Sequence, residues 1–197
     1  MNRPSHILMG CFLQQYMEDH YGIHLNRNSF ILGNVMPDYF PSFLIRPHFL
    51  KKNASHVQRM IKVLLKRRRS SFCGRKYSRL LGILCHYYTD FFCYAHSDSF
   101  EGNLSDHIQY EKSLYLYFVE NLKQFQTLHF IVQPESTFCA GDVYRQFETL
   151  HSCYLRSQTS FGNDLLFAMT GCVELIVMAA ECTAPSEAYH FENIAAV

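Results

Sequence analysis

His86 and Asp90 stand four residues apart inside a run that is otherwise apolar, and four residues also separate His107 from Glu111. Residues at i and i+4 share one face of a helix. A charged Asp in a buried helix is costly unless it is paired or bound to a cation, so the first pair calls for company. His96 follows Asp90 by six residues. Two adjacent helices, each presenting a His/carboxylate pair, can aim four ligands into one pocket between them. Mixed His and carboxylate ligation suits Zn²⁺. Structural zinc sites are usually closed and Cys-rich, whereas this set is carboxylate-rich and Cys-free, which favours catalysis.

The elements that must position these residues read as helices. A first helix is expected from about His6 to Tyr21, with Ser5 as its N-cap and Gly22 as its stop. A short helix near Ser29 to Val35 ends at Met36-Pro37. Residues 38–52, with prolines at 41 and 47, read as an irregular loop. A third helix spans about Asn53 to Arg69 and closes on Lys66-Arg67-Arg68-Arg69, cations that suit a helix C-terminus. The fourth, about Lys76 to Tyr94, is apolar on nearly all sides and should be central. A fifth runs from about Ser105 to Leu128, with Ser105 as cap, and two more lie near 141–157 and 163–182. The tail after Pro185 reads as weakly ordered.

Composition bounds the function. The 197 residues are 48% hydrophobic with a net charge of +1, which fits a single domain (1–197) with a large core and argues against a dedicated nucleic-acid coat. No secretory signal opens the chain. The apolar stretch from Leu165 to Ala180 falls short of the ~20 residues that span a bilayer and reads as a core helix. Eight cysteines form no Cys-x-x-Cys pair. Scattered through helix-like segments, they read as reduced thiols in a cytoplasmic protein. Of the eleven histidines, those at 20, 24, 129, 151 and 190 have no partner at useful helical spacing and read as structural. Oligomeric state is not legible.

The run from His86 to His96 (His-Tyr-Tyr-Thr-Asp-Phe-Phe-Cys-Tyr-Ala-His), with His107-x3-Glu111, resembles the bacterial zinc-dependent phospholipase C family, whose scaffold the fungal single-strand zinc nucleases share. Gly33-Asn34-Val35-Met36-Pro37-Asp38 is similar to that family's Gly-x-x-x-Pro-Asp motif, Pro47-His48-Phe49 to the ligand His that follows it, and Ser5-His6 to its N-terminal ligand His. The resemblance extends over roughly the first 115 residues; beyond them only the all-helical pattern agrees.

The resemblance implies an all-α, multi-helix bundle with a metal cluster between helices. It places Asp38, His48, His86 and Asp90 on one zinc, with Asp90 bridging, and His96, His107 and Glu111 on a second that keeps an open position. His6 and Asp90 fall on a third. Secreted members complete that third site with an N-terminal Trp, and this chain has no Trp, so two firmly held zinc ions and a weaker third are expected. His56 competes with His48 as the loop ligand, with His48 preferred for its place just after Pro-Asp. Asp38 is the expected catalytic group, orienting or deprotonating a water. Tyr39 and Phe49, with Phe40 and Phe43, read as a mouth for a lipid headgroup or nucleobase, or else as core. The expected activity is hydrolysis of a phosphodiester, the substrate being a phospholipid headgroup or other small phosphate ester, with no stable nucleic-acid partner. A nuclease or nucleotidase on the same scaffold, and a non-enzymatic zinc-binding helical protein, are the alternatives.

Overall fold

The computed structural model describes residues 1–39, 49–66, 74–132 and 140–183. Within them the chain is all-α, with seven helices and no strand: α1 (Arg3–Tyr21), α2 (Arg27–Val35), α3 (Leu50–Leu65), α4 (Arg75–Phe91), α5 (Leu104–Gln126), α6 (Ala140–Arg156) and α7 (Phe161–Thr183). Two 3-10 turns, Met36–Asp38 and Tyr94–His96, follow α2 and α4.

Local chemistry sets the ends, in places differently from expectation. Asn2, not Ser5, caps α1: its side chain accepts the Ser5 N–H at 3.0 Å, and Pro4 sits in the first turn, where no N–H is needed. Gly22 stops α1 in the left-handed conformation (φ 61), and the Ile23 N–H donates back to the Met17 carbonyl at 3.0 Å. Asn103, not Ser105, caps α5 and shares a reciprocal box with Asp106, whose carboxylate accepts the Asn103 N–H at 2.9 Å. Helix α3 begins at Leu50, so Asn53 is a buried interior residue rather than a start. Helix α4 ends at Phe91, and the turn Tyr94–His96 is a separate element.

Helix α4 lies at the centre, against α1, α2, α3 and α7. Its closest neighbour is α2, and two glycines allow the approach. A Cβ on Gly33 would fall 2.2 Å from the Arg79 carbonyl oxygen, and one on Gly82 would fall 2.2 Å from that of Phe30. The two backbones therefore touch, which fixes the height of α2 along α4 and, with it, the Met36–Asp38 turn beyond. Helix α7 is long and apolar enough to cross a bilayer, with a mean hydropathy of 1.8, but 67% of that stretch is buried inside the protein. Leu165, Met169, Cys172, Val173 and Ile176 are fully enclosed, so its apolar faces are used within the bundle.

Candidate metal centre

Helix α4 carries His86 and Asp90 on one face, both fully buried. The Asn34 carbonyl, delivered by the Gly33–Gly82 contact, lies 2.8 Å from His86 Nδ1. A protein carbonyl can only accept, so Nδ1 carries a proton and Nε2 is the nitrogen left to meet a cation. It faces the carboxylates: His86 Nε2 is 3.3 Å from Asp90 Oδ2 and 3.8 Å from Asp38 Oδ1. Holding one imidazole nitrogen to free the other is how proteins orient metal ligands.

Helix α1 adds His6, whose ring stacks on His86 with centroids 3.9 Å apart and whose Nε2 is 3.2 Å from Asp90 Oδ1. Burial, with the neighbouring His86 second, lowers the His6 pKa to about 3. The ring therefore stays neutral at physiological pH, as a ligand must.

On the other side of Asp90 lies a second group. His96, on the turn after α4, places Nε2 3.7 Å from Asp90 Oδ1 and 3.0 Å from Glu111 Oε1. His107 Nε2 lies 3.1 Å from the same Glu111 oxygen. The ligand atoms of His96, His107 and Glu111 fall within 4.8 Å of one another, as do those of His6, Asp38 and His86, and Asp90 touches both groups. The Met1 amine sits between them, donating to Asp90 Oδ1, 3.2 Å from Glu111 Oε1 and 2.9 Å from His96 Nε2.

The electrostatics test whether cations fit here. Burial works against charge on the Met1 amine, yet Asp90 and Glu111 outweigh it and raise its pKa to about 12. Burial likewise opposes ionisation of Glu111, but the His96 hydrogen bond and the amine bring its pKa down to about 2. Asp90 is driven well below the carboxylate range against its own desolvation, by the amine and then by His96, His6 and His86. An ammonium is thus held where two carboxylates and several imidazoles converge, and a metal cation suits the same position. The donor set, imidazole and carboxylate without thiolate, is one that zinc accepts.

Of the residues singled out from sequence, His6, Asp38, His86, Asp90, His96, His107 and Glu111 come together. His48 lies outside the described residues, as do Phe40 and Phe43. His56, its competitor, packs its ring edge-on against Tyr87, centroids 6.0 Å apart. Phe49 stands 5.9 Å from the His96 ring and, with Phe100, Leu104 and His107, lines a cavity of about 360 Å³ beside the second group. Tyr39 is exposed, under the Arg3 guanidinium at 4.3 Å, and does not line that cavity. Among the histidines read as structural, His24 pairs with Glu18 at 3.2 Å across the end of α1, and His20 and His129 meet edge to face.

Three contributors lie outside the pattern of side-chain spacing. The Asn34 carbonyl and the Met1 amine are backbone groups, invisible to side-chain spacing. Asp164 on α7 is the third. It accepts the Tyr94 N–H at 2.9 Å, the Tyr110 hydroxyl at 2.9 Å and the Tyr154 hydroxyl at 2.8 Å. It therefore ties the C-terminal helices to the turn that carries His96 and to the residue before Glu111. Its burial outweighs these three donors and pushes its pKa up to about 6.

Fold and geometry together define a class: a helical bundle built around a candidate multi-metal site. The family follows from a direct comparison. A family model described as zinc dependent phospholipase C matches residues 5–160, and the chain belongs to that family. The match reaches past the first 115 residues into α6 and the turn beyond it. No curated protein and no solved structure matches the chain.

Proposed function

We propose that this protein is a zinc-dependent hydrolase of phosphodiesters, with a phospholipid headgroup ester as its substrate. The observation that carries the reading is the convergence of four imidazoles and three carboxylates, from α1, α4, α5 and the two 3-10 turns, around Asp90. In this reading His6, Asp38 and His86 would hold one zinc and His96, His107 and Glu111 another, with the Asp90 carboxylate beside both groups. Zinc held there would supply charge to offset the negative charge that develops on phosphate oxygens and would acidify a water toward neutral pH.

The chain's own residues do the rest. Asp38 is held on the turn after α2, where the Arg3 guanidinium donates to its backbone carbonyl at 3.1 Å. From there its carboxylate can orient a water or take its proton. His107, on the cavity wall, places the second group next to Phe49, Phe100 and Leu104. Those apolar walls favour a substrate with a hydrocarbon portion next to its phosphate, which supports a phospholipid over a nucleotide.

A panel of chromogenic substrates tests this with the zinc-loaded protein: a phosphocholine diester beside a nucleotide diester. The expected result is turnover of the phosphocholine diester, abolished by chelation and lost in Asp38→Asn while the fold remains. Preferential turnover of the nucleotide diester would shift the reading to a nuclease. Bound zinc with no turnover of either substrate would leave a zinc-binding helical protein.

A further inference from the structure

The near-neutral net charge conceals a sharp segregation. Residues 39–89 hold twelve of the 18 Lys and Arg and none of the 17 Asp and Glu; the rest of the chain sets six cations against all 17 acids. In the structure α3 orders this excess. Asn53, Val57, Ile61 and Leu64 form its buried side. Lys51, Lys52, Arg59, Lys62 and Lys66 are all exposed. At 100° per residue those five cations fall within an arc of about 100°, a stripe along the outer face of the helix. Arg75, Lys76 and Arg79, at the start of α4, are exposed as well. Among the described residues, the ion pair of this set is Lys51 with Asp98, at 2.7 Å.

The stripe has a direction. It starts beside Phe49, with the Lys52 ammonium 5.7 Å from that ring, and Phe49 lines the cavity next to His107. From Lys51 to Lys66 it extends for about 22 Å, at 1.5 Å per residue. Leu104, which lines the same cavity, is 75% exposed, and Ile108, one turn further along α5, is 44% exposed.

We propose that the outer face of α3, with the first turn of α4, docks on an anionic lipid surface and brings the cavity mouth to that surface. The proposal rests on the phosphodiesterase reading for the choice of partner. Charge complementarity calls for an anionic partner. The apolar rim at Leu104 and Ile108 suits a bilayer, while the exposed stripe of α3 offers aliphatic Val63 and no aromatic ring on which a base could stack.

The test is co-sedimentation of the zinc-loaded full-length protein with vesicles of phosphatidylcholine alone, or with about a third phosphatidylglycerol, at low and high salt. Two triple variants accompany it: Arg59→Gln/Lys62→Gln/Lys66→Gln on the stripe, and Lys112→Gln/Lys123→Gln/Arg145→Gln elsewhere. Both lose three charges, so only the position differs. The expected result is salt-sensitive binding that needs phosphatidylglycerol. It should fall roughly a hundredfold in the stripe variant, from about one kcal/mol per cation, and persist in the other. Soluble phosphocholine-diester turnover should be unchanged in both. Equal loss in the two variants, or no preference for anionic vesicles, would overturn the proposal. So would tighter binding to an oligonucleotide than to the vesicles. Vesicle binding is read without turnover, so a failed substrate assay with intact binding would count against the phosphodiesterase reading alone, and the reverse pattern against the docking face alone.

Discussion

The same spacing, His-x3-carboxylate, occurs twice around this centre and meets two environments. His86 and Asp90 lie on a helix enclosed by four others and are fully buried. His107 and Glu111 lie near the start of a helix at the cavity edge, with side chains 24% and 13% exposed. Spacing put each pair on one helix face; packing decided which would be a foundation and which a rim. The buried pair is braced by the Asn34 carbonyl and the stacked His6 ring, so its loss should propagate through the core. The rim pair faces a cavity that a substrate can enter, so its loss should be felt in chemistry first.

That contrast can be broken most forcefully at Asp90. Asp90→Asn removes the carboxylate shared by both groups and leaves the surrounding cationic and imidazole groups without their counter-charge. We expect loss of zinc from both groups and a destabilisation of about 3–5 kcal/mol, the cost of removing one partner from a buried ionic cluster. Denaturant unfolding and metal analysis check both. Gly33→Ala attacks the foundation from outside. Its Cβ would meet the Arg79 carbonyl at 2.2 Å, backbone against side chain, so α2 must move off α4 and take the Asn34 carbonyl with it. A loss of about 1–3 kcal/mol, with weakened zinc retention, is expected; unchanged melting would show that the close contact is not needed. His107→Ala sharpens the other side. We expect a stability change within about 1 kcal/mol, loss of one zinc, and a hundredfold or larger drop in turnover, by analogy with removal of a transition-state-stabilising group.

The smallest effect concerns the C-terminal brace. The Asp164 pKa is raised to about 6 from the ordinary 3.8, so the folded state binds this proton more tightly than the unfolded state. Its contribution is most favourable below the unfolded value and declines as pH rises through about 6. The stability of the wild type relative to Asp164→Asn should therefore fall by up to about 3 kcal/mol between pH 4 and pH 6.5. A flat difference would mean that the three donors keep Asp164 ionised throughout. The Tyr94–His96 turn is anchored through the Asp164 carboxylate, so zinc affinity measured in both proteins shows whether the brace reaches the centre.

Much of this was legible in the sequence because it rests on side-chain periodicity. The buried character of α4 and the two His/carboxylate pairs follow from residue type and spacing, whereas Asp38 and His6 entered only through the family resemblance. Helix starts were less legible where two capping residues compete. Asn2 and Ser5, or Asn103 and Ser105, are equally good acceptors in isolation, and Pro4 and Asp106 decide between them. The elements that finish the centre were illegible for a different reason. A carbonyl at Asn34, an amine at Met1 and the absence of Cβ atoms at Gly33 and Gly82 are backbone properties that acquire meaning only when α2 meets α4. The basic face was in plain view, but a summed charge of +1 cancels twelve clustered cations against acids held elsewhere.

The most direct test of the centre is the zinc content of the purified protein by elemental mass spectrometry, beside His86→Ala and His107→Ala. The account predicts at least two zinc ions per chain in the wild type, one lost in His107→Ala with the fold intact, and the buried ion lost in His86→Ala together with a lower melting temperature. A wild-type protein that contains no zinc and takes none up on addition would contradict it.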